Sequence, residues 1–289
     1  MAHLSQRRSQ NVSGNFYVDS SCIDCDTCRW MVPEVFHSAG EQSAVHHQPA
    51  SETERLRSLQ ALLACPTASI GTVEKPKDIK DAQLSFPIPV AENVYHCGYH
   101  SEDSYGATSY LIVRPEGNIL VDSPRFTPPL VKRLEEMGGI RYMYLTHRDD
   151  VADHQKYAEH FGCERILHTN DITRSTRDVE IQLTESEPVQ LAPDLLIIPV
   201  PGHSKGHTVL LYKNKFLFTG DHLAWSDQLN QLIAFRNYCW SWSELLKSMR
   251  KLANYSFEWV LPGHGRRYHA DSETMRHQLN QCIAWMEAK

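Results

Sequence analysis

The sequence contains no apolar run that could cross a membrane and no excess of positive charge. Its hydrophobic stretches fall short of the roughly 18 residues that a membrane-spanning helix requires. Lys and Arg number 29 against 35 Asp and Glu, which gives a formal net charge of −6. A basic stripe of the kind that binds nucleic acid is also missing. We therefore predict that neither a membrane nor a nucleic acid is a partner of this chain.

The N-terminal segment lacks the hydrophobic core of a secretory signal. Residues 1–15 are polar, and Arg7-Arg8 is not followed by an apolar stretch. Eight cysteines are present among 289 residues, but without a secretory route a disulfide framework is not expected. These features predict a reducing, cytoplasmic location. The hydrophobic content of 41% is sufficient for a buried core, in one large domain or two smaller ones.

Three of the cysteines form a C-x2-C-x2-C motif. Cys22, Cys25 and Cys28 have the spacing of a loop that wraps around one corner of an iron–sulfur cluster. Cys65, which precedes a proline and follows a predicted amphipathic helix over residues 51–64, supplies a fourth thiolate. Four thiolates can also bind zinc, but such sites usually pair one C-x2-C with another. The pattern therefore favours a [4Fe–4S] cluster.

This region resembles the single-cluster ferredoxins over about residues 15–73. Residues 28–36 are similar to the helix and turn that follow the third ligand in that family, and residues 63–70 to its closing strand. The resemblance implies a ferredoxin-like domain at residues 1–75 that can exchange electrons with a redox partner protein. A charged, proline-bearing stretch predicts a linker at residues 76–89, so that a second domain occupies residues 90–289.

In the second domain, predicted strands end in metal-type ligands. The strand at 140–145 leads to His147 and a dense group of Asp and His that ends at residue 154. Later predicted strands lead to His203, Asp221 and His264. Unpaired charges are costly to bury, so a bound divalent metal is a better explanation of such a group than a polar helix cap. Ligands at the same ends of several strands converge on one cleft.

These segments resemble, in order, the motifs of the metallo-β-lactamase superfamily: H-x-H-x-D-H, then P-G-H, G-D and G-H. The resemblance implies an α+β fold, a four-layer αββα sandwich of two β-sheets flanked by helices, here preceded by the small ferredoxin-like domain. It also implies one or two divalent metal ions, zinc or iron, and a small-molecule substrate. Carried over by position, the ligands would be His147, His203 and Asp221 for the first ion, and Asp153, His154 and His264 for the second, with Asp221 bridging.

The first motif departs from the family pattern, because it reads His147-Arg-Asp-Asp-Val-Ala-Asp-His154. Asp149 stands where the second histidine is expected, and two extra residues precede Asp153 and His154. We favour a bulged loop in which Asp153 and His154 stay ligands beside Asp149. In the alternative, Asp149 or Asp150 takes the site and His154 reaches it from one helical turn away. Carboxylate in place of imidazole makes the site harder and suits iron or manganese as well as zinc.

Residues next to these motifs carry weaker expectations. His207 is expected to orient the loop or a ligand, and His222 to lie exposed beside the cleft. Trp225, Trp240 and Trp242 follow Asp221, and we expect them to pack in the core or on the surface rather than to line the cleft.

Three functions are compatible with these patterns. The favoured hypothesis is a metallo-hydrolase in which metal-activated hydroxide attacks an ester, thioester, lactone or phosphoester, with Asp153 accepting a proton. The second is a non-heme iron oxidoreductase that receives electrons through the cluster, which Asp149 and the attached domain support. The third is a non-catalytic electron carrier or iron–sulfur sensor. The identity of the bound metal discriminates among the three.

Overall fold

The structure is a computed structural model that describes residues 2–289, and the chain divides into two compact units. Unit 1 extends to Arg141 and includes residues 155–161; unit 2 consists of residues 142–154 and 162–289. The expected domain boundaries at 75 and 90 stay predictions. Among the described residues, the helices are too short or too polar to pass through a membrane.

The first part of unit 1 is built from short strands and helices. Its elements are β1 (Phe16–Val18), α1 (Thr27–Met31), β2 (Phe36–Ser38), β3 (Ser43–Val45), α2 (Glu52–Ala64), β4 (Ile70–Thr72) and α3 (Ile79–Leu84). Strand β1 pairs antiparallel with β4, and β2 pairs antiparallel with β3. The predicted helix before Cys65 is confirmed as α2. Its first turn is capped by Ser51, whose Oγ accepts a hydrogen bond from the Glu54 amide at 3.1 Å.

The rest of unit 1 contains an antiparallel meander. Its elements are β5 (Ile88–Ala91), β6 (Val94–His96), β7 (Tyr110–Ile112), β8 (Ile119–Val121), α4 (Pro128–Glu136) and all but the first residue of α5 (His154–Phe161). Each of the strands β5 to β8 pairs with the next. The hairpin predicted through residues 115–118 is confirmed, as is the helix that ends before Gly138-Gly139.

Unit 2 contains a parallel group of strands and a larger mixed sheet. Its strands are β9 (Tyr142–Tyr144), β10 (Glu164–His168), β11 (Ile181–Leu183), β12 (Val189–Ala192), β13 (Leu195–Pro199), β14 (Thr208–Tyr212), β15 (Phe216–Gly220), β16 (Ala224–Ser226), β17 (Gln231–Ile233), β18 (Trp259–Pro262) and β19 (Tyr268–His269). Strand β10 pairs in parallel with both β9 and β11. The mixed sheet has the order β12-β13-β14-β15-β18-β19, and β16 pairs with β17.

The mixed sheet packs against two helices, α6 (Trp242–Leu252) and α7 (Ser272–Glu287), through a common apolar core. Strands β14 and β15 are buried along their whole length, which explains their nearly continuous hydrophobic sequence. Strands β15 and β18 are parallel, so their carboxyl ends lie at the same edge of the sheet. The Gly263 amide donates to the Gly220 carbonyl at 2.9 Å. This pairing positions the loops that carry Asp221 and His264.

Candidate metal centre and cluster site

The ring of His147 is held at the end of β9 with one nitrogen directed at the acidic residues around it. Its side chain is fully buried, and its Nδ1 lies 3.0 Å from Thr146 Oγ1. Its Nε2 lies 3.7 Å from Asp149 Oδ2 and 3.8 Å from Asp221 Oδ2. A metal-binding histidine is usually oriented in this way, by a hydrogen bond at the nitrogen that does not bind the ion.

Asp221 lies at the centre of the site. Its Oδ2 is 3.8 Å from His147 Nε2, 3.6 Å from His203 Nε2 and 3.9 Å from His264 Nε2. One carboxylate oxygen therefore faces three imidazoles, each of which lies on a different loop. This is the arrangement expected of a carboxylate that bridges two ions.

Two overlapping sets of ligand atoms are close enough to hold an ion. In each set the atoms lie within 4.8 Å of one another; the first set is His147, Asp149 and His203, and the second is His147, Asp150 and Asp221. His264 adjoins the second set, with its Nε2 3.9 Å from Asp150 Oδ1. A Cβ placed on Gly263 would lie 2.6 Å from Asp150 Oδ2 and 3.0 Å from Asp221 Oδ1. Only glycine leaves room there for both carboxylates.

The chemistry of these groups fits a divalent cation. Among residues 2–289, His147 Nε2 and Asp221 Oδ1 find no hydrogen-bond partner although both atoms are buried, a costly state unless something else binds them. Burial lowers the pKa of His147 well below its ordinary value, so its ring is neutral and keeps a lone pair. The hydrogen bond with His203 is the main cause of the lowered pKa of Asp149, which is therefore a carboxylate.

The structure differs from the arrangement that we favoured for the first motif. Neither set of ligand atoms includes Asp153 or His154. The chain turns at Ala152, which has a φ of +25°, and α5 then begins at His154. The buried His154 ring has its Nδ1 3.1 Å from a guanidinium nitrogen of Arg165. Asp149 and Asp150 both belong to the candidate sets, as the alternative expected of one of them, but His154, which the alternative also placed at the site, does not. A proton-accepting role for Asp153 stays a prediction.

Two neighbouring histidines are both buried. The ring of His207 stacks on that of His147 at 4.7 Å, and its Nε2 lies 3.0 Å from the Thr219 carbonyl. This contact fits the orienting role that was predicted. The expectation for His222 was wrong, because its side chain is fully buried rather than exposed beside the cleft. Burial lowers the pKa of His222 to about 3 and keeps its ring neutral.

The tryptophans after Asp221 are positioned by packing and backbone contacts. Trp225 stacks on Tyr268 at 4.0 Å, and Trp242 lies edge-on to Trp285. Trp240 is half exposed, and its amide donates to the His203 carbonyl at 2.7 Å. These contacts agree with the predicted packing role.

Asp171, which the sequence reasoning missed, connects two of the ligand-bearing loops. Its buried carboxylate accepts hydrogen bonds from the Arg148 amide at 3.1 Å, the Gly206 amide at 2.7 Å and the Ser204 hydroxyl. Arg148 follows His147, and Ser204 follows His203, so Asp171 fixes the spacing of the two loops. The only sequence signal is a T-N-D turn after a strand, which is too common to single it out.

The four predicted cluster cysteines lie together in unit 1. Cys22, Cys25, Cys28 and Cys65 line one pocket, together with Thr27 and the apolar side chains of Val18 and Ile23. Burial is the main cause that raises the pKa of Cys25, to about 11, and the pKa of Cys65 is also raised by burial. Buried thiolates require positive charge, which the irons of a cluster supply.

Backbone amides around the pocket are directed at the sulfurs. The Ser43 amide lies 3.4 Å from Cys22 Sγ, and the Ser69 amide lies 3.2 Å from Cys65 Sγ. Amide–sulfur hydrogen bonds of this kind are typical of iron–sulfur sites. The residues therefore fit a [4Fe–4S] cluster, which would be held by the four sulfurs.

Comparison with known proteins agrees with both parts of the structure. Residues 18–72 match the family described as the 4Fe-4S single cluster domain of Ferredoxin I. An uncharacterized protein, YmaE of Bacillus subtilis (strain 168), is 27% identical over 121 residues, 41% of this chain and 44% of its own. A hydroxyacylglutathione hydrolase of Anaeromyxobacter dehalogenans (strain 2CP-C) is 29% identical over 131 residues, 44% of this chain and 49% of its own. The chain thus spans less than half the length of the curated relatives that it matches.

Similarity to solved structures extends over more of the chain. The DIM-1 metallo-β-lactamase superposes with a TM-score of 0.54 at 17% identity, over 69% of this chain and 95% of the lactamase. At that identity the match shows the fold. The protein therefore combines a single-cluster 4Fe–4S ferredoxin domain with the metallo-β-lactamase fold.

Proposed function

We propose that the chain is a binuclear metallo-hydrolase that acts on a small ester, thioester, lactone or phosphoester. The observation that carries the proposal is the position of Asp221, whose Oδ2 lies 3.6–3.9 Å from three histidine nitrogens. In this proposal His147, Asp149 and His203 hold one ion, Asp150 and His264 hold the other, and Asp221 is shared. Divalent ions at such sites lower the pKa of bound water towards about 7 and polarise the oxygen of the group under attack.

The side chains of the site prepare it for an anionic nucleophile. The carboxylates of Asp149, Asp150 and Asp221 offset three of the four positive charges that two divalent ions bring. The stacked rings of His147 and His207 are both kept neutral by burial, which lowers their pKa values well below the ordinary range. A histidine that binds an ion through a ring lone pair adds no charge of its own, so one net positive charge would remain to attract hydroxide and the developing oxyanion.

Hydrolysis can be tested with protein purified without oxygen, after iron, zinc and acid-labile sulfide have been counted. The zinc-loaded protein is assayed against an S-acylglutathione, a lactone and an aryl phosphoester. The similarity to a hydroxyacylglutathione hydrolase makes the first of these the leading probe. We expect turnover of at least one probe, and loss of that turnover in Asp221→Asn. Full occupancy by two ions without turnover of any ester would contradict the proposal.

A second candidate is an iron oxidoreductase, and Asp149 is the residue that favours it. His147, Asp149 and His203 form a set of two histidines and one carboxylate, which suits non-heme Fe(II). In this candidate function the ferredoxin domain supplies the electrons. Iron beyond the four atoms of one cluster, with oxygen consumption that depends on a reductant, would favour this function over hydrolysis.

A further inference from the structure

The segment from His96 to Gly106, which lies outside the matched ferredoxin residues, packs against the cysteine loop within unit 1. The Tyr105 hydroxyl donates to the Ile23 carbonyl at 2.5 Å. Gly106 has a φ of +84°, and a Cβ placed on it would lie 2.8 Å from Cys25 Cβ and 3.1 Å from Cys25 Sγ. A larger residue at position 106 would displace a cluster ligand. The segment is therefore part of the wall around the cluster pocket.

Two buried histidines in this segment are linked to each other and to the cysteine loop. His96 and His100 have 1% and 0% of their surface exposed, and their Nε2 atoms are 2.8 Å apart. The Nδ1 of His100 lies 2.7 Å from the Gly106 carbonyl oxygen and 3.1 Å from Thr27 Oγ1. Thr27 Oγ1 in turn lies 3.4 Å from Cys25 Sγ. A continuous chain of polar contacts thus connects His96 to a cluster ligand.

The direction of the hydrogen bonds in this chain follows from the chemistry of the atoms. A carbonyl oxygen can only accept, so His100 Nδ1 carries a proton and donates it. Thr27 Oγ1, which lies within reach of the same N–H, can accept from it. The hydroxyl proton of Thr27 is then available for Cys25 Sγ, because a thiolate that binds iron can only accept. This holds whichever histidine carries the proton between the two Nε2 atoms.

We propose that His100, acting through Thr27, is a positioning residue that raises the reduction potential of the iron–sulfur cluster. A reduced cluster carries one more negative charge than an oxidised one, and a hydrogen bond to a ligand sulfur stabilises that extra charge. Thr27 belongs to the ferredoxin domain and His100 does not. The reduction potential of the cluster therefore depends on a segment outside that domain. The inference rests on the assignment of a cluster to the four cysteines.

The ring contacts around the two histidines support a fixed geometry. The Trp30 ring lies 5.2 Å from the His96 ring and 6.2 Å from the His100 ring. The amide of His100 also donates to the Ala64 carbonyl at 3.2 Å, one residue before Cys65. The imidazole of His100 is thus held both by its neighbours and by its own backbone. A fixed donor has a larger effect on a charge than one that must reorient.

The test is a redox titration of the full-length, cluster-loaded protein with dithionite and mediators, followed by electron paramagnetic resonance. Thr27→Val removes the hydroxyl and keeps the shape, whereas Thr27→Ser keeps the hydroxyl. His100→Leu removes the donor, whereas His100→Asn places an N–H close to the position of Nδ1. We expect the reduction potential of the cluster to fall in Thr27→Val and His100→Leu, so that half reduction needs a tenfold higher ratio of reduced to oxidised mediator. For a one-electron couple this corresponds to a shift of 59 mV. The Ser and Asn variants should stay near the wild-type potential.

Each result of this titration bears on a different part of the proposal. An unchanged potential in Thr27→Val with a full count of iron and sulfide would overturn the role of the hydroxyl. A shift in Thr27→Val without one in His100→Leu would overturn the role of His100. If His100→Leu assembles no cluster, the potentials of Thr27→Val, Thr27→Ser and His100→Asn still test the proposed hydrogen-bond chain. A wild-type protein with zinc and no sulfide in the pocket would instead remove the cluster assignment, and it would leave the proposed hydrolytic site untouched.

Discussion

At the scale of single residues, the proposed metal centre depends most on Asp221, since its carboxylate faces histidines from three separate loops. We expect Asp221→Ala to remove both ions, with affinity reduced by more than the roughly 10–100-fold that loss of an outer-shell partner causes. Metal content after dialysis against a zinc buffer, measured by mass spectrometry, tests this. Asp227→Ala is the matched control, because Asp227 is an exposed partner of Arg266 and should leave the metal content unchanged. Retention of both ions in Asp221→Ala would refute the bridging role.

Asp171 connects two of the loops that carry the proposed ligands, so its effect on metal binding is expected to be indirect. Asp171→Ala leaves the Arg148 and Gly206 amides without their shared acceptor, so the loops can move apart. We expect zinc affinity to fall by about 10–100-fold while the fold is retained. Competition with a chromophoric chelator measures the affinity, and circular dichroism checks the fold. Ser204→Ala removes only one of the donors to Asp171 and should have a smaller effect; an equal effect would argue against Asp171 as the common anchor.

The residues that sequence could identify are those whose spacing along the chain reflects their chemistry. The cysteine triplet with Cys65 and the histidines at strand ends belong to this class. Asp171 and His100 do not, since their partners lie far away in sequence and no local pattern marks them. The absence of Asp153 and His154 from the candidate sets was also beyond sequence, because the chain turns at Ala152 between these residues and Asp150.

At the scale of elements, helix α6 fixes the loop that carries His203. Gly202 has a φ of +155°, and a Cβ placed on it would lie 2.3 Å from Leu245 Cα in α6. Because this atom is backbone, Gly202→Ala must push the helix and loop apart, and we expect a loss of roughly 1–3 kcal/mol in the free energy of unfolding beyond the backbone strain. Urea titration measures the loss.

Gly162→Ala is a suitable control for this substitution. Gly162 also has a positive φ, of +63°, but an added Cβ there would meet nothing within 4 Å. The control should therefore show only the strain of the backbone conformation, about 1–2 kcal/mol. Equal losses in the two variants would show that the contact between α6 and the His203 loop is easily adjusted.

The helices and strands themselves followed closely from sequence. Continuous apolar runs predicted β13, β14 and β15. Proline and glycine marked the turn between β13 and β14, and Lys213-Asn214 marked the hairpin between β14 and β15. The hairpin of β2 and β3 in the first part of unit 1 was less visible, because each strand is only three residues long. Strands of that length carry too few residues for alternation to be recognised.

At the scale of the whole molecule, the stretch predicted as a linker contains a buried anchor. Phe86 lies within residues 76–89, yet its side chain is fully buried. Its ring is 5.1 Å from that of Tyr99 and 6.4 Å from that of His96. A Cβ placed on Gly98 would lie only 2.1 Å from the Phe86 ring. Sequence does not mark this aromatic, because a single buried side chain next to the charged residues 74–81 leaves no periodicity.

Phe86 therefore stabilises the histidine-bearing segment that walls the cluster pocket. We expect Phe86→Ala to reduce the free energy of unfolding by about 3–5 kcal/mol, because it leaves a large cavity among fully buried side chains. Urea unfolding, followed both by far-ultraviolet circular dichroism and by cluster absorbance, measures the loss. Leu84→Ala, at a position 64% exposed, should change little. If residues 76–89 were a passive linker, the two substitutions would have equally small effects; if Phe86 anchors the segment, cluster absorbance is lost at lower urea in Phe86→Ala alone.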